Sequence, residues 1–108
     1  MSLYVVRLVL NTGINTFNTI EEYQTFAKNF PATGAAFMVI AENLTTGILK
    51  EFQQTLTSAN IVETVMVFAS LADKQLYAAD LTHDIREGML AEGANLGWIE
   101  TYIEREEG

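Results

Sequence analysis

The sequence predicts a single α+β domain in which an antiparallel sheet carries helices on one face. Residues 3–10 and 61–69 are β-prone and apolar on both alternating faces, which is typical of strands that are covered on both sides. A helical segment follows the first and again the third predicted strand. A chain of 108 residues, 49% of them apolar, has the size and composition of one packed domain that spans residues 1–108.

The first half of the chain contains one clear strand, one clear helix and one ambiguous segment. Residues 3–10 predict the strand, and Thr19 and Glu22 form a capping box that begins a helix over residues 20–29. Pro31 is expected to break or kink that helix. Residues 35–44 are almost continuously apolar, so they fit a buried helix or a buried strand; their Ala and Met content favours the helix.

The second half predicts a hairpin, a broken helical segment and a last strand. Residues 48–57 and 61–69 alternate as two strands around a turn, although a helix over residues 48–56 is the competing interpretation. Ser70 caps a helix that is expected to break near Asp80, restart at Thr82 and stop at Gly93. Residues 96–103 predict the closing strand, and the acidic end, residues 104–108, is expected to fray into solvent.

This order of elements predicts a ferredoxin-like βαββαβ plait. Short hairpins pair antiparallel neighbours, and helical crossovers return the chain to the same sheet, which leaves both helical segments on one face. The other face would then expose the second apolar side of the strands. We therefore expect the protein to form a homodimer through that face.

The chain resembles the dimeric α+β barrel superfamily, which includes antibiotic-biosynthesis-monooxygenase-like proteins. The resemblance rests on the element order, on the two-sided strands and on the passage from Phe68 and Ala69 through the Ser70 cap into a helix. It implies sheet-to-sheet pairing of two subunits and a small organic molecule held between sheet and helices. Several members are enzymes that need no cofactor, and no cofactor is expected for this protein. The resemblance assigns no catalytic residue to this chain, because the sequence contains no motif that matches a catalytic motif of the superfamily.

Met and aromatic side chains are numerous for a chain of this size. One interpretation is an adaptable apolar pocket between sheet and helices, suited to an acyl chain or a polyketide-like compound. The other is a non-catalytic structural or protein-interaction domain in which the same residues form a solid core. The expected pocket residues are Phe26, Met66, Phe68, Tyr77, Met89 and Trp98.

Arg7 and His83 are the two polar candidates for this site. Arg7 is the single charge in the first strand, so it either pairs with Glu63 or Glu100, lies at a sheet margin, or holds a ligand carboxylate. His83 shares a helix face with three carboxylates, which would suit a metal site or a general base, but such a composition is ordinary at the start of a helix. No metal site is expected at His83, since transition-metal sites usually contain more nitrogen ligands.

The charge balance argues against several classes of partner. Six basic and fourteen acidic residues give a net charge of −8, which opposes binding to nucleic acid or to an anionic membrane. The absence of cysteine excludes disulfides and thiolate chemistry. No apolar run approaches the ~20 residues of a membrane span, and no export signal is recognisable, so a cytoplasmic protein is expected. The sequence does not decide between binding and catalysis.

Overall fold

Four strands and four helices form an α+β fold in the computed structural model, which describes residues 2–107. The strands are β1 (Leu3–Asn11), β2 (Leu49–Ser58), β3 (Ile61–Phe68) and β4 (Ile99–Glu107). The helices are α1 (Ile20–Lys28), α2 (Pro31–Thr46), α3 (Leu71–Asp80) and α4 (His83–Leu96).

The strands make one antiparallel sheet in the order β2-β3-β1-β4. This sheet is compatible with the ferredoxin-like architecture that the sequence predicts. In the centre of the sheet Val6 lies opposite Met66 of β3 and Glu104 of β4. Each crossover contains two helices, and β2 and β3 form the predicted hairpin, so the competing helix over residues 48–56 is wrong.

Local signals position the first two helices. The Thr19 hydroxyl accepts from the Glu22 amide at 3.2 Å, while the Glu22 carboxylate accepts from the amide of Asn18, one residue before the cap. Pro31 occupies the first turn of α2, where its missing amide hydrogen removes no helical hydrogen bond. Residues 35–44 lie inside α2, which confirms the helix and excludes the alternative strand.

The last helix ends later in the sequence than predicted. Thr82 caps α4 as expected, with the Ile85 amide 3.4 Å from its hydroxyl, but the helix continues through Gly93. It ends at Gly97, whose φ of +74° is the left-handed conformation that terminates helices. Gly93 has open space around its α-carbon and ordinary helical geometry, so nothing at that position ends the helix.

The acidic end is also different from the prediction. Residues 104–107 do not fray; they belong to β4, which pairs with β1 as far as Leu3 and Glu107. Glu104 anchors this segment, because it lies 2.6 Å from the Lys74 ammonium and accepts a hydrogen bond from the Tyr4 hydroxyl. Backbone pairing and this ion pair outweigh the mutual repulsion of the carboxylates. Residue 108 lies outside the described part of the chain.

All the helix packing uses one face of the sheet. Phe68 and Tyr77 are central to one buried cluster, and Tyr23 and Val62 to a second. On the opposite face, apolar side chains of β1 and β4 are exposed, and within residues 2–107 no helix covers them. They are Leu3, Val9, Ile99 and Ile103.

Helix α4 packs on α2 rather than closely on the sheet. Gly88 faces Ala32 so closely that a β-carbon at residue 88 would lie 2.5 Å from that of Ala32. The Glu92 carboxylate accepts hydrogen bonds from the Ala32 and Thr33 amides at 2.8 and 3.0 Å, and from the Thr33 hydroxyl at 2.6 Å. It thereby caps the first turn of α2 from a neighbouring helix. No residue of α4 is buried, and space remains between α4 and the sheet.

Replacement of the Glu92 carboxylate is expected to destabilise the fold in a pH-dependent way. Desolvation raises the pKa of Glu92, but the bonds from Thr33 and Ala32 outweigh it and leave the pKa below the ordinary 4.5. A lowered folded-state pKa contributes stability that is present above about pH 4.5 and lost as the pH falls through the folded value. Glu92→Gln should therefore lower the free energy of unfolding by about 1 kcal/mol at pH 7.

Urea denaturation at pH 7 and at pH 3.5 would measure this difference. The difference in the free energy of unfolding between the wild type and Glu92→Gln should be smaller at pH 3.5 than at pH 7. Glu42→Gln, an equal charge change at an exposed position of α2, is the control and should stay near the wild type. Equal losses for both variants at pH 7 would contradict the capping role.

Candidate functional site

Two adjoining clefts separate α4 from the sheet. Their volumes are about 410 and about 340 Å³, and both are lined by Met89, Leu90 and Glu100. Because they share these residues, we treat them as one groove, with Met89 and Leu90 of α4 above and Glu100 of β4 below at the junction. The groove exists because α4 is held by α2 and contributes no buried residue to the core.

The larger cleft has an aromatic wall. Tyr23 of α1, Phe30 and Trp98 line it together with Leu10 of the sheet. The Tyr23 and Trp98 rings are 6.0 Å apart, and the indole N–H of Trp98 donates to the Asn15 side-chain oxygen at 2.9 Å. The indole is thus held in place by a loop side chain, with its polar atom already satisfied.

The smaller cleft has an aliphatic floor and a mixed rim. Side chains from the helix-facing side of the sheet form the floor, and α3 contributes the wall next to α4. The floor residues are Val6, Leu8, Met66 and Tyr102. Tyr77 of α3 packs against Phe68 with ring centres 5.4 Å apart and closes the cleft on that side.

Glu100 is the acidic group at the junction of the two clefts. Glu100 is exposed to water in the open groove, and the neighbouring protein atoms raise its pKa by partial desolvation. Within residues 2–107 its carboxylate makes no hydrogen bond and no ion pair. A partly desolvated carboxylate without a protein partner can gain a favourable contact from a ligand.

Two tyrosines flank this carboxylate. Burial, together with the nearby charge of Glu100, raises the pKa of Tyr23 to about 12. Burial also raises the pKa of Tyr77 to about 12, with Arg86 opposing the shift and Glu100 adding to it. Both phenols therefore keep their protons at neutral pH and can serve as neutral hydrogen-bond donors.

Two cations stand at the rim of the smaller cleft, and both already have partners. The Lys74 ammonium pairs with Glu104, and desolvation of that carboxyl is outweighed by the bonds from Lys74 and Tyr4, so the pKa of Glu104 lies below its ordinary value. Arg86 donates to the backbone carbonyl of Ala78. Neither cation forms an ion pair with Glu100.

The structure brings four of the six predicted apolar pocket residues to the groove and places two behind it. Met66, Tyr77, Met89 and Trp98 line one or both clefts. Phe68 is fully buried beneath Tyr77. Phe26 lies behind the aromatic wall of the larger cleft, with its ring centre 5.9 Å from that of Trp98.

Arg7 and His83 do not reach the groove. Arg7 lies on the opposite face of the sheet, where its nearest acidic partner is Glu107 at 3.6 Å rather than Glu63 or Glu100. Its Nε is buried without a hydrogen-bond partner. His83 is 82% exposed at the start of α4 and contacts Glu87 at 3.2 Å. Residues 2–107 contain no group of three or more acidic or imidazole side chains arranged to hold a metal ion.

From the sequence, Glu100 is expected only as a partner for Arg7. A signal for its actual place was present, because Glu100 alternates in phase with Trp98 and Tyr102 along the last strand. All three lie on the helix-facing side. A single acidic residue between two aromatic side chains on one strand face therefore indicates the junction of the groove.

These features define an α+β protein with helices on one face of its sheet and an open, largely apolar groove beneath its last helix. Comparisons with protein-family models, with curated proteins and with solved structures find no match to this chain. The resemblance to the dimeric α+β barrel superfamily therefore stays a prediction. None of the helices formed by residues 2–107 combines the length and apolar character needed to cross a membrane.

Proposed function

We propose that this protein binds an elongated, largely apolar small molecule in the groove between α4 and the sheet. The observation that supports this most strongly is the pair of clefts, of about 410 and about 340 Å³, that meet at Glu100. Ligand sites in proteins are concave, mostly apolar and provided with few polar groups, and their volumes are about 300–1,000 Å³.

The chemistry of the walls favours an apolar ligand of irregular shape. Met66 and Met89 are flexible thioethers, and Trp98 and Tyr102 offer flat aromatic surfaces. Such walls adapt to a ligand better than branched aliphatic side chains do. An acyl chain or a polyketide-like compound has the required character, and the polar partner for it in the groove is Glu100 rather than Arg7 or His83.

The alternative function is a non-catalytic structural or interaction domain with a solid interior. That alternative requires α4 to seal the core, whereas α4 has no buried residue. The groove thus favours the small-molecule binder over the domain with a solid interior.

Filling the groove is expected to abolish binding of a neutral, apolar dye such as Nile red. Met89 lines both clefts, so Met89→Trp should occupy the junction and weaken dye binding at least tenfold. Met38→Trp is the matched control, because Met38 is 66% exposed on α2 and lines neither cleft. Dye fluorescence titrations on the wild type and both variants would measure the effect.

A second substitution separates a pocket from a packed core. Met66→Trp in the floor should also reduce dye binding while the fold persists. If it only destabilises the fold by ~1–3 kcal/mol, as overpacking does, and the dye never bound, the interior is solid and the proposal fails.

The proposed functional unit is a homodimer that pairs through the helix-free face of the sheet. Apolar side chains on that face would leave water, and an exposed patch of this kind is typical of an interaction surface. The charges support a second copy as the partner. Arg7, Arg105 and their common partner Glu107 lie on the β1–β4 half of the face, and Glu51 and Glu63 lie on the β3–β2 half.

A two-fold axis along the strands would place the two arginines of each β1–β4 half over the acidic β3–β2 half of the partner. Such pairing would offer an acceptor to the unpaired Nε of Arg7. Native mass spectrometry of freshly purified protein would report the subunit count and any co-purified ligand in one measurement.

A further inference from the structure

We infer that the ligand of the groove is a protonated amine whose nitrogen lies between two apolar arms, with the ammonium held by Glu100. This inference rests on the proposed function and names the chemical class of the compound. It combines the position of Glu100 at the junction of the clefts, the absence of any partner for it within residues 2–107, and the apolar walls on both sides.

The position of Glu100 determines where the charge of the ligand should be. Both clefts include Glu100, and each extends away from it between α4 and the sheet. A compound that fills both clefts therefore passes over this carboxylate near its middle rather than at its end. A secondary amine with two alkyl or aryl arms matches this arrangement, whereas a primary amine at the end of one long chain would leave one cleft empty.

The sign of the charge follows from the neighbours of Glu100. No cation of residues 2–107 forms an ion pair with Glu100: the Lys74 ammonium is 2.6 Å from Glu104, and the Arg86 guanidinium donates to the Ala78 carbonyl. A carboxylate without an ion-pair partner attracts a bound cation and repels a bound anion. The desolvation that raises the pKa of Glu100 would be offset by an ammonium at hydrogen-bond distance.

Aromatic side chains around the junction support the same ligand class. Tyr102 is half exposed on the floor of the smaller cleft, and Trp98 lines the larger one. Aromatic faces attract ammonium groups, and an alkylated ammonium also buries apolar surface against them. The phenols of Tyr23 and Tyr77 keep their protons at physiological pH, so they add no charge of their own to the junction.

Two isomeric amines test the inference directly. Dihexylamine and dodecylamine have the same composition and are both protonated at pH 7, but only dihexylamine carries its nitrogen between two arms. Competition with Nile red, at amine concentrations below micelle formation, would give the affinity of each amine and of dodecanoate. We expect dihexylamine to bind at least tenfold more tightly than dodecylamine, and dodecanoate to bind most weakly.

Variants then assign the preference to Glu100. In Glu100→Gln, the affinity for dihexylamine divided by that for Nile red should fall at least tenfold. Glu42→Gln removes the same charge from an exposed position outside the groove and should leave that ratio unchanged, which separates a local contact from the general attraction of an acidic protein.

The outcomes distinguish this inference from the proposed function. If Nile red does not bind the wild type, the groove is not a binding site and the proposed function fails. If the dye binds but dodecanoate competes better than either amine, or Glu100→Gln leaves the ratio unchanged, the amine assignment is overturned and the proposed function stands. If dodecylamine equals or exceeds dihexylamine, the central placement of the nitrogen is overturned.

Discussion

Ile103→Lys is expected to convert the proposed homodimer of about 24 kDa, twice the chain mass of 12.0 kDa, into a monomer. Ile103 is 52% exposed on the helix-free face and lies directly opposite Arg7 on the neighbouring strand. In a two-fold dimer the substitution occurs twice, and each lysine would lose water beside an existing guanidinium. A cost of about 2.8 kcal/mol would weaken dimerisation about 100-fold.

Sedimentation velocity at micromolar concentration would measure this change. Met38→Lys, the same gain of charge on the exposed surface of α2, should remain dimeric. Circular dichroism should show both variants folded, since Ile103 is accessible to water in the isolated protomer. A wild type that sediments as a monomer would refute the dimer, and a dimeric Ile103→Lys would place the interface elsewhere.

Gly88→Ala is expected to destabilise the protein although alanine is the better helix former. The new methyl group would lie 2.5 Å from the β-carbon of Ala32, so α4 or α2 has to move. Overpacking of this kind costs about 1–3 kcal/mol, which exceeds the ~1 kcal/mol that alanine contributes over glycine inside a helix. The free energy of unfolding, measured with urea, should therefore decrease.

Gly93→Ala is the matched control in the same helix. A β-carbon at residue 93 would meet no atom within 4 Å outside the adjacent residues and backbone of α4, so only the gain in helix propensity of about 0.5–1 kcal/mol should remain. The two substitutions should thus shift stability in opposite directions. A gain for both would show that α4 and α2 are not packed closely at Gly88.

Elements with local signals were predictable from the sequence. The side chains of Thr19, Ser70 and Thr82 each accept from an amide three residues later, as the capping patterns predict. These contacts lie within one helical turn, so the identity of neighbouring residues largely decides them. The hairpin of β2 and β3 was equally readable, since strand alternation and turn residues adjoin in the chain.

The errors arose where distant residues decide the outcome. The charged end of the chain reads as a solvated tail, but pairing with β1 and the contact of Glu104 with Lys74 keep it in the sheet. Gly93 reads as a helix stop, but its φ stays helical and Gly97 supplies the left-handed turn. Neither partner strand nor backbone angle is visible in local composition.

The sequence by itself determined the α+β class, the caps of the helices and the apolar character of the groove walls, because these depend on side-chain type and on contacts within a few residues. The tertiary structure decided which polar group meets that apolar surface. Arg7 and Glu100 are the single charged residues of the predicted strands 3–10 and 96–103, but strand pairing places Arg7 on the helix-free face and Glu100 under α4. Because α4 is held by Gly88 and Glu92 against α2, the space beneath it stays open, and that space is where Glu100 lies.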